Sequence, residues 1–363
     1  MKLETLTVSG SPRAMGQAHG EAFRARIERF VEMRLEAVRG YMAERGRPDD
    51  WPQLFEVGKE SFGRFEAWDP EGYAEHCGIA EGAGIDPLRL FSTANMTDMR
   101  DAVLLAAAKG APLTKIPDEG CSSLLVPASR TANDGPLVGQ TWDLNPPDVE
   151  YVVAVHRQPD EGPQTWAITC TGCLSLIGLN EHGVSVGTTN IKTYGSRAGV
   201  GYLSILHRAI RAASAKEASA LVQNAPHAGA HTYWIADATT QMEWEASPNA
   251  QVRRDTEDGP IWRTNHCLAT EHQALEGEVV GESSLARFSR LKEVLEPATD
   301  VNVDTLKTLF SDRARGLQSI NRYAEDDQGT ATNAVFIASP TERRAWACRG
   351  PADRGTWIEL SFG

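Results

Sequence analysis

The stretch DEGCSSLLVP, residues 118–127, marks the point where the character of the sequence changes. Before it, apolar residues recur at the three- and four-residue spacing of helices. After it, short segments rich in β-branched and aromatic residues alternate with turn residues. Runs of strands with separate helices are typical of an α+β fold built from layers. We therefore expect a layered α+β protein whose helical and strand-rich parts meet near residue 120.

The composition excludes several classes of protein. The chain has 363 residues, of which 41% are hydrophobic and 23% charged, so it can bury a full core. Its 49 acidic residues outnumber its 36 basic ones and give a formal charge of -13, which predicts no nucleic-acid partner and no membrane partner. The first residues, MKLETLTVSGSPR, contain no apolar stretch, which indicates a cytoplasmic protein.

The first third of the chain is predicted to be helical. Ser11 precedes Pro12, a pair typical of a helix start, and an apolar face follows from Phe23 to Val38. Further helices are expected at about residues 51–68, 70–84 and 87–105. After residue 120 the pattern predicts strands, with helices at about 202–213, 216–223, 283–295 and 304–311.

Cys121 is the most informative of six cysteines, which are too few for a disulfide scaffold. It follows Gly120, whose backbone can adopt strained angles, and it precedes two serines. A thiol at this position could attack the Gly120 carbonyl, after which hydrolysis of the thioester would leave a chain that begins at Cys121. The new α-amine, with a reference pKa of about 7.7–8.0, could then act as the base for the thiol.

Three residues downstream could complete such a site. Asp143 lies about one hairpin after Cys121 and could hold the amine. The amide of Asn265 could donate to an oxyanion, and the guanidinium of Arg287 could orient a carboxylate or a thiol. Considered singly, each also has an ordinary interpretation as a turn residue, a strand cap or a solvated helix charge.

Other motifs carry less information. Cys170 and Cys173 have the spacing of a redox or zinc site but lack a second pair, so two small strand residues are the favoured interpretation. His227 and His231 are four residues apart, but Pro226 and the small intervening residues favour a loop over a metal site. The sequence therefore predicts no metal and no cofactor.

Taken together, these segments resemble the peptidase C45 family of N-terminal nucleophile hydrolases along nearly the whole chain. The resemblance rests on their order and spacing. The matching segments are MGQAHGEAF (15–23), DEGCSS (118–123), TWD (141–143), GLNEHGVSVGTTN (178–190), IADATTQMEWEASP (235–248), RTNH (263–266) and the helix around Arg287.

The resemblance implies a four-layer αββα sandwich of two antiparallel sheets flanked by helices. It implies cleavage between Gly120 and Cys121 into an α subunit (1–120) and a β subunit (121–363), which stay together as a heterodimer within one structural domain. Cys121 then matches the nucleophile and Asp143 the carboxylate beside the amine. Asn265 and the backbone N–H of Trp142 match the oxyanion donors. Arg287 matches the supporting arginine, for which Arg313, Arg315 and Arg322 are alternatives.

Several functions stay open from the sequence. The favoured one is hydrolysis of a small N-acyl amide through a thioester on Cys121. An acyltransferase that uses acyl-CoA or an amide as donor is the main alternative, although the sequence shows no CoA-binding signature. A papain-type protease would need a separate histidine and a different pattern around Cys121. An uncut binding module on the same fold is the non-enzymatic alternative.

Overall fold

The computed structural model describes residues 1–116 and 120–363. Within these ranges the α-helices are α1 (Pro12–Glu44), α2 (Gln53–Trp68), α3 (Pro70–Ala83), α4 (Pro87–Ala94), α5 (Met96–Leu104), α6 (Tyr202–Ala209), α7 (Ala215–Gln223), α8 (Thr270–Gln273), α9 (Glu282–Leu295) and α10 (Val303–Phe310). Ser11 caps α1 by accepting a hydrogen bond from Ala14 N, which confirms the predicted start. The helix expected over 87–105 is two helices, because the chain leaves helical geometry at Asn95.

The strands within the same ranges are β1 (Glu4–Gly10), β2 (Ser122–Val126), β3 (Leu137–Leu144), β4 (Val152–Pro159), β5 (Thr165–Cys170), β6 (Ile177–Asn180), β7 (Ser185–Asn190), β8 (His231–Ala236), β9 (Gln241–Ala246), β10 (Gln251–Asp255), β11 (Ile261–Arg263), β12 (Ala331–Ser339), β13 (Arg344–Arg349) and β14 (Ile358–Ser361). They form one sheet in the order β1-β4-β5-β6-β7-β8-β9-β10 and another in the order β11-β2-β3-β12-β13-β14.

Strand β1 departs from the prediction in two ways. It lies in the part of the chain that was expected to be helical, and it pairs with β4 in parallel, with Glu4 opposite Val153. The other ladders of named strands are antiparallel. A segment before the Gly120–Cys121 bond therefore supplies the edge strand of this sheet, whose other strands all come from residues after that bond.

The strands of the six-stranded sheet show how the layers stack. Leu124 and Val126 of β2 pack into a cluster with Leu291 of α9 and Phe310 of α10. Leu125 points to the opposite face and belongs to the core shared with the eight-stranded sheet. Neighbouring residues on a strand point to opposite faces, so this sheet has helices α9 and α10 on one side and the second sheet on the other.

Helices α1 and α3 cover the far side of the eight-stranded sheet. Glu75 of α3 pairs with Arg157 of β4, and Phe30 of α1 shares the core with Val153. The two helices pack backbone to backbone, since a side chain on Gly16 would overlap the Glu75 carbonyl. The predicted α+β, four-layer αββα arrangement is confirmed, apart from the parallel β1.

A set of buried hydrogen bonds made by one side chain links the two sheets close to Cys121. The side chain of Gln140 on β3 bonds both the N–H and the carbonyl of Thr188 on β7. Its oxygen also accepts a hydrogen bond of 2.7 Å from Trp234 Nε1 on β8. These bonds hold the two sheets at a fixed separation at Gln140, which lies two residues before Trp142 on β3. Across residues 1–116 and 120–363, none of the helices has the length and apolar character needed to cross a bilayer.

Candidate active site

Cys121 lies at the start of β2, between the two sheets. The N–H of Gly120 donates to Asp143 O at 3.2 Å, and β2 then runs antiparallel to β3 with Ser122 opposite Thr141. The Cys121 side chain is 5% exposed. Its Sγ lies 3.4 Å from the N–H of Asp143, which donates to it, and 3.6 Å from Asp143 O. The sulfur therefore accepts a hydrogen bond from the Asp143 backbone and, as a thiol, donates one to it.

Asp143 is fully buried at the end of β3. Burial raises the pKa of its carboxyl to about 6, although Arg322 and Arg287 act in the opposite direction. The hydroxyls of Thr332 and Thr141 also lower this pKa, but within the described residues neither carboxylate oxygen accepts a hydrogen bond of normal geometry. A buried carboxylate without such partners is costly, and a cation beside it would be stabilised.

Arg287 reaches Cys121 from helix α9. Its Nη1 donates to the Cys121 carbonyl and, at 3.0 Å, to Ser122 Oγ. Its Nη2 donates to Asn265 Oδ1 at 3.0 Å. Burial and the nearby Arg322 lower the pKa of the guanidinium to about 9. The predicted Cys121, Asn265 and Arg287 are therefore joined through one side chain.

Arg322 is the arginine among the three alternatives that comes close to Cys121 and Asp143. Its Nη1 donates to Ser283 Oγ at 2.9 Å, and a Cβ added to Gly120 would lie 2.7 Å from that same nitrogen. Arg313 instead pairs with Asp326, and Arg315 pairs with Glu293. The site therefore contains two arginines where the sequence suggested one.

Asn265 follows β11 and is held from both sides. Its backbone N–H donates to Ser284 Oγ at 2.9 Å, its Oδ1 accepts from Arg287, and its Nδ2 donates to Asn190 O at 3.0 Å. A side-chain amide has two N–H groups, so the geometry uses one of them in positioning the residue. The second is the donor that an oxyanion would need.

The direction of the Trp142 backbone N–H, the second predicted oxyanion donor, follows from its position on β3. Neighbouring residues on a strand direct their N–H groups to opposite sides. Because Asp143 directs its N–H and its carbonyl towards Gly120 and Cys121, Trp142 directs its N–H towards β12. Trp142 instead contributes its side chain to the wall of the cavity at Cys121. The backbone donor that reaches the sulfur is Asp143, one residue later.

That cavity lies between the sheets and measures about 30 Å³, enough for about one water molecule. Its walls are Thr97, Cys121, Trp142, Asp143, Leu144, Leu176, Thr188, Asn190, Tyr202 and His231. A larger cleft of about 450 Å³, next to Arg157 and Arg211, does not include Cys121 in its lining. In the continuous chain, therefore, the Cys121 side chain faces a nearly filled space.

The histidine motif and the CxxC motif do not form metal sites. His231 begins β8 and pairs with Asp98, whereas His227 Nε2 lies 2.9 Å from Val222 O. The described residues contain no group of three or more potential ligands. Cys170 and Cys173 are free and buried, and burial raises the pKa of Cys173 to about 12. The sequence motif includes His231, but it does not predict the pairing of His231 with Asp98, which depends on packing between segments distant in sequence.

Comparison with known proteins gives one family and several structures. The family model described as acyl-coenzyme A:6-aminopenicillanic acid acyl-transferase matches residues 130–354, more than half of the chain. A mutant of the conjugated bile acid hydrolase from Clostridium perfringens is similar at 11% identity, with a TM-score of 0.44, covering 67% of this chain and 97% of that one. A penicillin V acylase from Agrobacterium tumefaciens is similar at 10% identity, with a TM-score of 0.39, covering 66% and 86%. The matched family segment includes Asp143, Asn265 and Arg287 and begins after Cys121.

Proposed function

The chain belongs to the acyl-coenzyme A:6-aminopenicillanic acid acyl-transferase family, and from that premise we propose that it is an amidase activated by its own cleavage between Gly120 and Cys121. The proposed reaction is hydrolysis of a small N-acyl amide through a thioester on Cys121. The observation that carries this proposal is the contact set around the thiol. Two guanidinium groups and a buried carboxylate, whose oxygens accept no hydrogen bond of normal geometry from the described residues, lie beside a glycine–cysteine peptide bond. One of the guanidinium groups also holds the side-chain amide of Asn265.

The first step of the proposal is an acyl shift from nitrogen to sulfur. The Cys121 sulfur adds to the Gly120 carbonyl carbon, the carbon–nitrogen bond breaks, and the nitrogen takes up the thiol proton. Water then hydrolyses the thioester, which releases the Gly120 carboxylate and restores the thiol. The close packing of Gly120 against Arg322 supports this step, because a cation there would stabilise the negative charge that develops on oxygen.

The cut would change the electrostatics of Asp143. Among the described residues, no cation forms a hydrogen bond with its buried carboxylate, and a protonated α-amine on Cys121 would supply one. Such a pair would lower the pKa of the carboxyl and hold the amine beside the thiol. Departure of the Gly120 end would also widen the cavity of about 30 Å³, so a substrate carbonyl could occupy the space left behind.

The second step repeats the chemistry on a substrate. The α-amine accepts the thiol proton, Cys121 attacks the amide carbonyl, and the second N–H of Asn265 Nδ2 donates to the oxyanion. The amine leaves with the proton, which gives a thioester, and water releases the acid. Arg287 acts as a positioning residue, because it contacts Asn265 and the Cys121 carbonyl.

We propose that the two pieces stay associated after the cut. They share one hydrophobic core, in which Phe30 and Ile79 from the first piece pack with Val153 and Trp234 from the second. Buried ion pairs also cross between them, including Arg34 with Asp148 and Glu75 with Arg157. Separation would expose these groups, so an α/β heterodimer is the expected form.

Acyl transfer is a second candidate, and the description of the family favours it. The name of the matching family denotes transfer from acyl-coenzyme A to 6-aminopenicillanic acid. The same Cys121 thioester could form from a thioester donor and be captured by an amine instead of water. Incubation with an N-acyl amide, and separately with acyl-CoA plus an amine, distinguishes the two candidates by whether a free acid or a new amide appears.

Denaturing electrophoresis of purified wild type tests self-cleavage. The proposal predicts two bands of roughly one-third and two-thirds of 39.5 kDa, and a single band in Cys121→Ala. A persistent single band in wild type would contradict the proposal and favour an uncut binding module.

A further inference from the structure

A histidine–aspartate pair lies in the wall of the cavity at Cys121, and the proposed chemistry does not use it. His231 Nε2 lies 2.7 Å from Asp98 Oδ1, and both side chains are almost fully buried. The other Asp98 oxygen accepts the N–H of Tyr202 at 2.7 Å. The Tyr202 ring stacks on the imidazole with centroids 4.6 Å apart. The ring of His231 is therefore fixed in position and orientation.

This fixation determines what the other ring nitrogen can do. Because Nε2 carries the hydrogen that bonds Asp98, Nδ1 of the neutral ring carries a lone pair and can accept a hydrogen bond. Within the described residues Nδ1 has no hydrogen-bond partner. A buried acceptor left without a partner costs free energy, so a bound donor group would remove that cost.

The location of the ring indicates what could supply the donor. His231 lines the same cavity as Cys121, together with apolar side chains such as Leu144 and Leu176. The cavity is small, so a group that reaches His231 must lie near the carbonyl that Cys121 attacks. On the acyl side of that carbonyl, the α-carbon is the first position of a substrate that can carry such a donor.

We propose that His231, held by Asp98, accepts a hydrogen bond from the substrate and selects amides whose acyl group carries an O–H or N–H on its α-carbon. This inference rests on the proposed thioester chemistry. A site built to bond a hydroxyl discriminates strongly against the analogue that lacks it, because its own polar group is then left without a partner.

The test compares the p-nitroanilides of mandelic acid and phenylacetic acid, which differ by one α-hydroxyl group. We expect wild type to favour the mandelic compound by about 10-fold or more in kcat/KM. His231→Gln should reduce that ratio to about 1, because the glutamine amide can still donate to Asp98 but lacks Nδ1. His227→Gln is the matched control: His227 is a buried histidine of the same segment that does not line the cavity, and the ratio should stay as in wild type.

Several outcomes would overturn the inference. Equal rates on both anilides in wild type would do so, as would an unchanged preference in His231→Gln. Where electrophoresis shows the cut and neither anilide reacts, calorimetry measures the binding of mandelamide and of phenylacetamide to wild type in place of the reaction rates. Preferential binding of mandelamide that His231→Gln abolishes would then support the inference, and equal or absent binding would overturn it. A chain that stays uncut contradicts the proposed function, and because its cavity of about 30 Å³ is too small for either amide, the inference falls with it.

Discussion

Two of the buried clusters of carboxylates and arginines in this molecule are built in opposite ways. On β9, the carboxylate of Glu243 accepts hydrogen bonds from Arg263 at 2.8 and 2.9 Å and from Arg254 at 2.8 Å. Around Cys121, Asp143 lies near Arg287 and Arg322, but its oxygens accept no hydrogen bond of normal geometry among the described residues. The pKa of Glu243 is accordingly lowered by Arg263 and Arg254 despite burial, whereas that of Asp143 is raised by burial.

We interpret the difference as that between a structural cluster and the proposed reactive one. The Glu243 cluster is complete, so each charge offsets the burial of its neighbours. The carboxylate of Asp143 has no hydrogen-bonded cation in the part of the chain that the structure describes, and the cut at Cys121 would supply one. Perturbed carboxylates in such surroundings are typical of catalytic sites, although structural networks also perturb pKa values. The predictions below test this contrast.

The largest expected effect is that of Cys121→Ala. Removal of the sulfur should abolish both self-cleavage and amide turnover, because no other group supplies the nucleophile in the proposed mechanism. Electrophoresis and an amidase assay measure the two effects. Cys348→Ala, which removes another buried thiol, is the control and should behave as wild type. Cleavage of the Cys121→Ala chain at the same bond would contradict the mechanism.

The contrast between the clusters predicts opposite results for two conservative substitutions. Glu243→Gln should lower the free energy of unfolding by about 3 kcal/mol, because it removes one of the two carboxylates that pair with buried Arg263, while cleavage persists. Asp143→Asn should not lower the free energy of unfolding at pH 8, because it removes a buried charge that is costly there. It should block cleavage, since no carboxylate then stabilises the amine that forms as the carbon–nitrogen bond breaks. Chemical denaturation and electrophoresis measure both. An equal loss of stability in the two variants would contradict the distinction between the Glu243 cluster and the Asp143 cluster.

Asn265→Ala tests the oxyanion assignment. Loss of one oxyanion donor typically lowers turnover by about 10²–10³, so we expect that reduction in kcat with a retained fold. Circular dichroism and steady-state kinetics on a reactive amide provide the measurements. A folded variant that turns over as fast as wild type would exclude Asn265 from this role.

The smallest expected effect is a pH dependence of stability in the uncut chain. The pKa of Asp143 in the folded chain, about 6, exceeds its ordinary value of 3.8, so the folded state binds more protons in between. The stabilisation is complete below about pH 4 and is lost as the pH rises through 6, by roughly 3 kcal/mol. Denaturation of Cys121→Ala with and without Asp143→Asn isolates this contribution. A difference between the two that does not vary with pH would contradict the raised pKa.

Much of the fold could be predicted because its signals are local. The cap at Ser11, the apolar face of α1 and the short strands after Cys121 all lie within a few residues of each other in sequence. Strand β1 was not predicted because most of its residues are not buried, so alternation is weak. Its parallel pairing with β4 joins segments about 150 residues apart, which no local pattern reports.

The residues of the candidate site also fall into those whose placement follows from local sequence and those whose placement does not. Cys121 and Asp143 lie on adjacent strands, so their proximity follows from one hairpin-like pairing. The sequence indicates Arg322 only as an alternative to Arg287 and His231 only as part of a possible metal site, because each reaches the site from a distant segment and depends on how sheets and helices stack. Asp98, which holds His231, comes from α5 in the part of the chain before Cys121. Long-range packing thus determines where Arg322 lies and brings His231 and Asp98 together.

The most direct test of the account is the intact mass of the purified wild-type protein, measured before and after incubation with N-acyl amides. The account predicts two polypeptides, one of which begins at Cys121, whose masses sum to that of the whole chain plus one water molecule. It also predicts that an acyl group appears transiently on the piece that begins at Cys121. A single uncut chain that acquires no acyl group would contradict the central claim that Cys121 cuts its own chain and then carries the substrate.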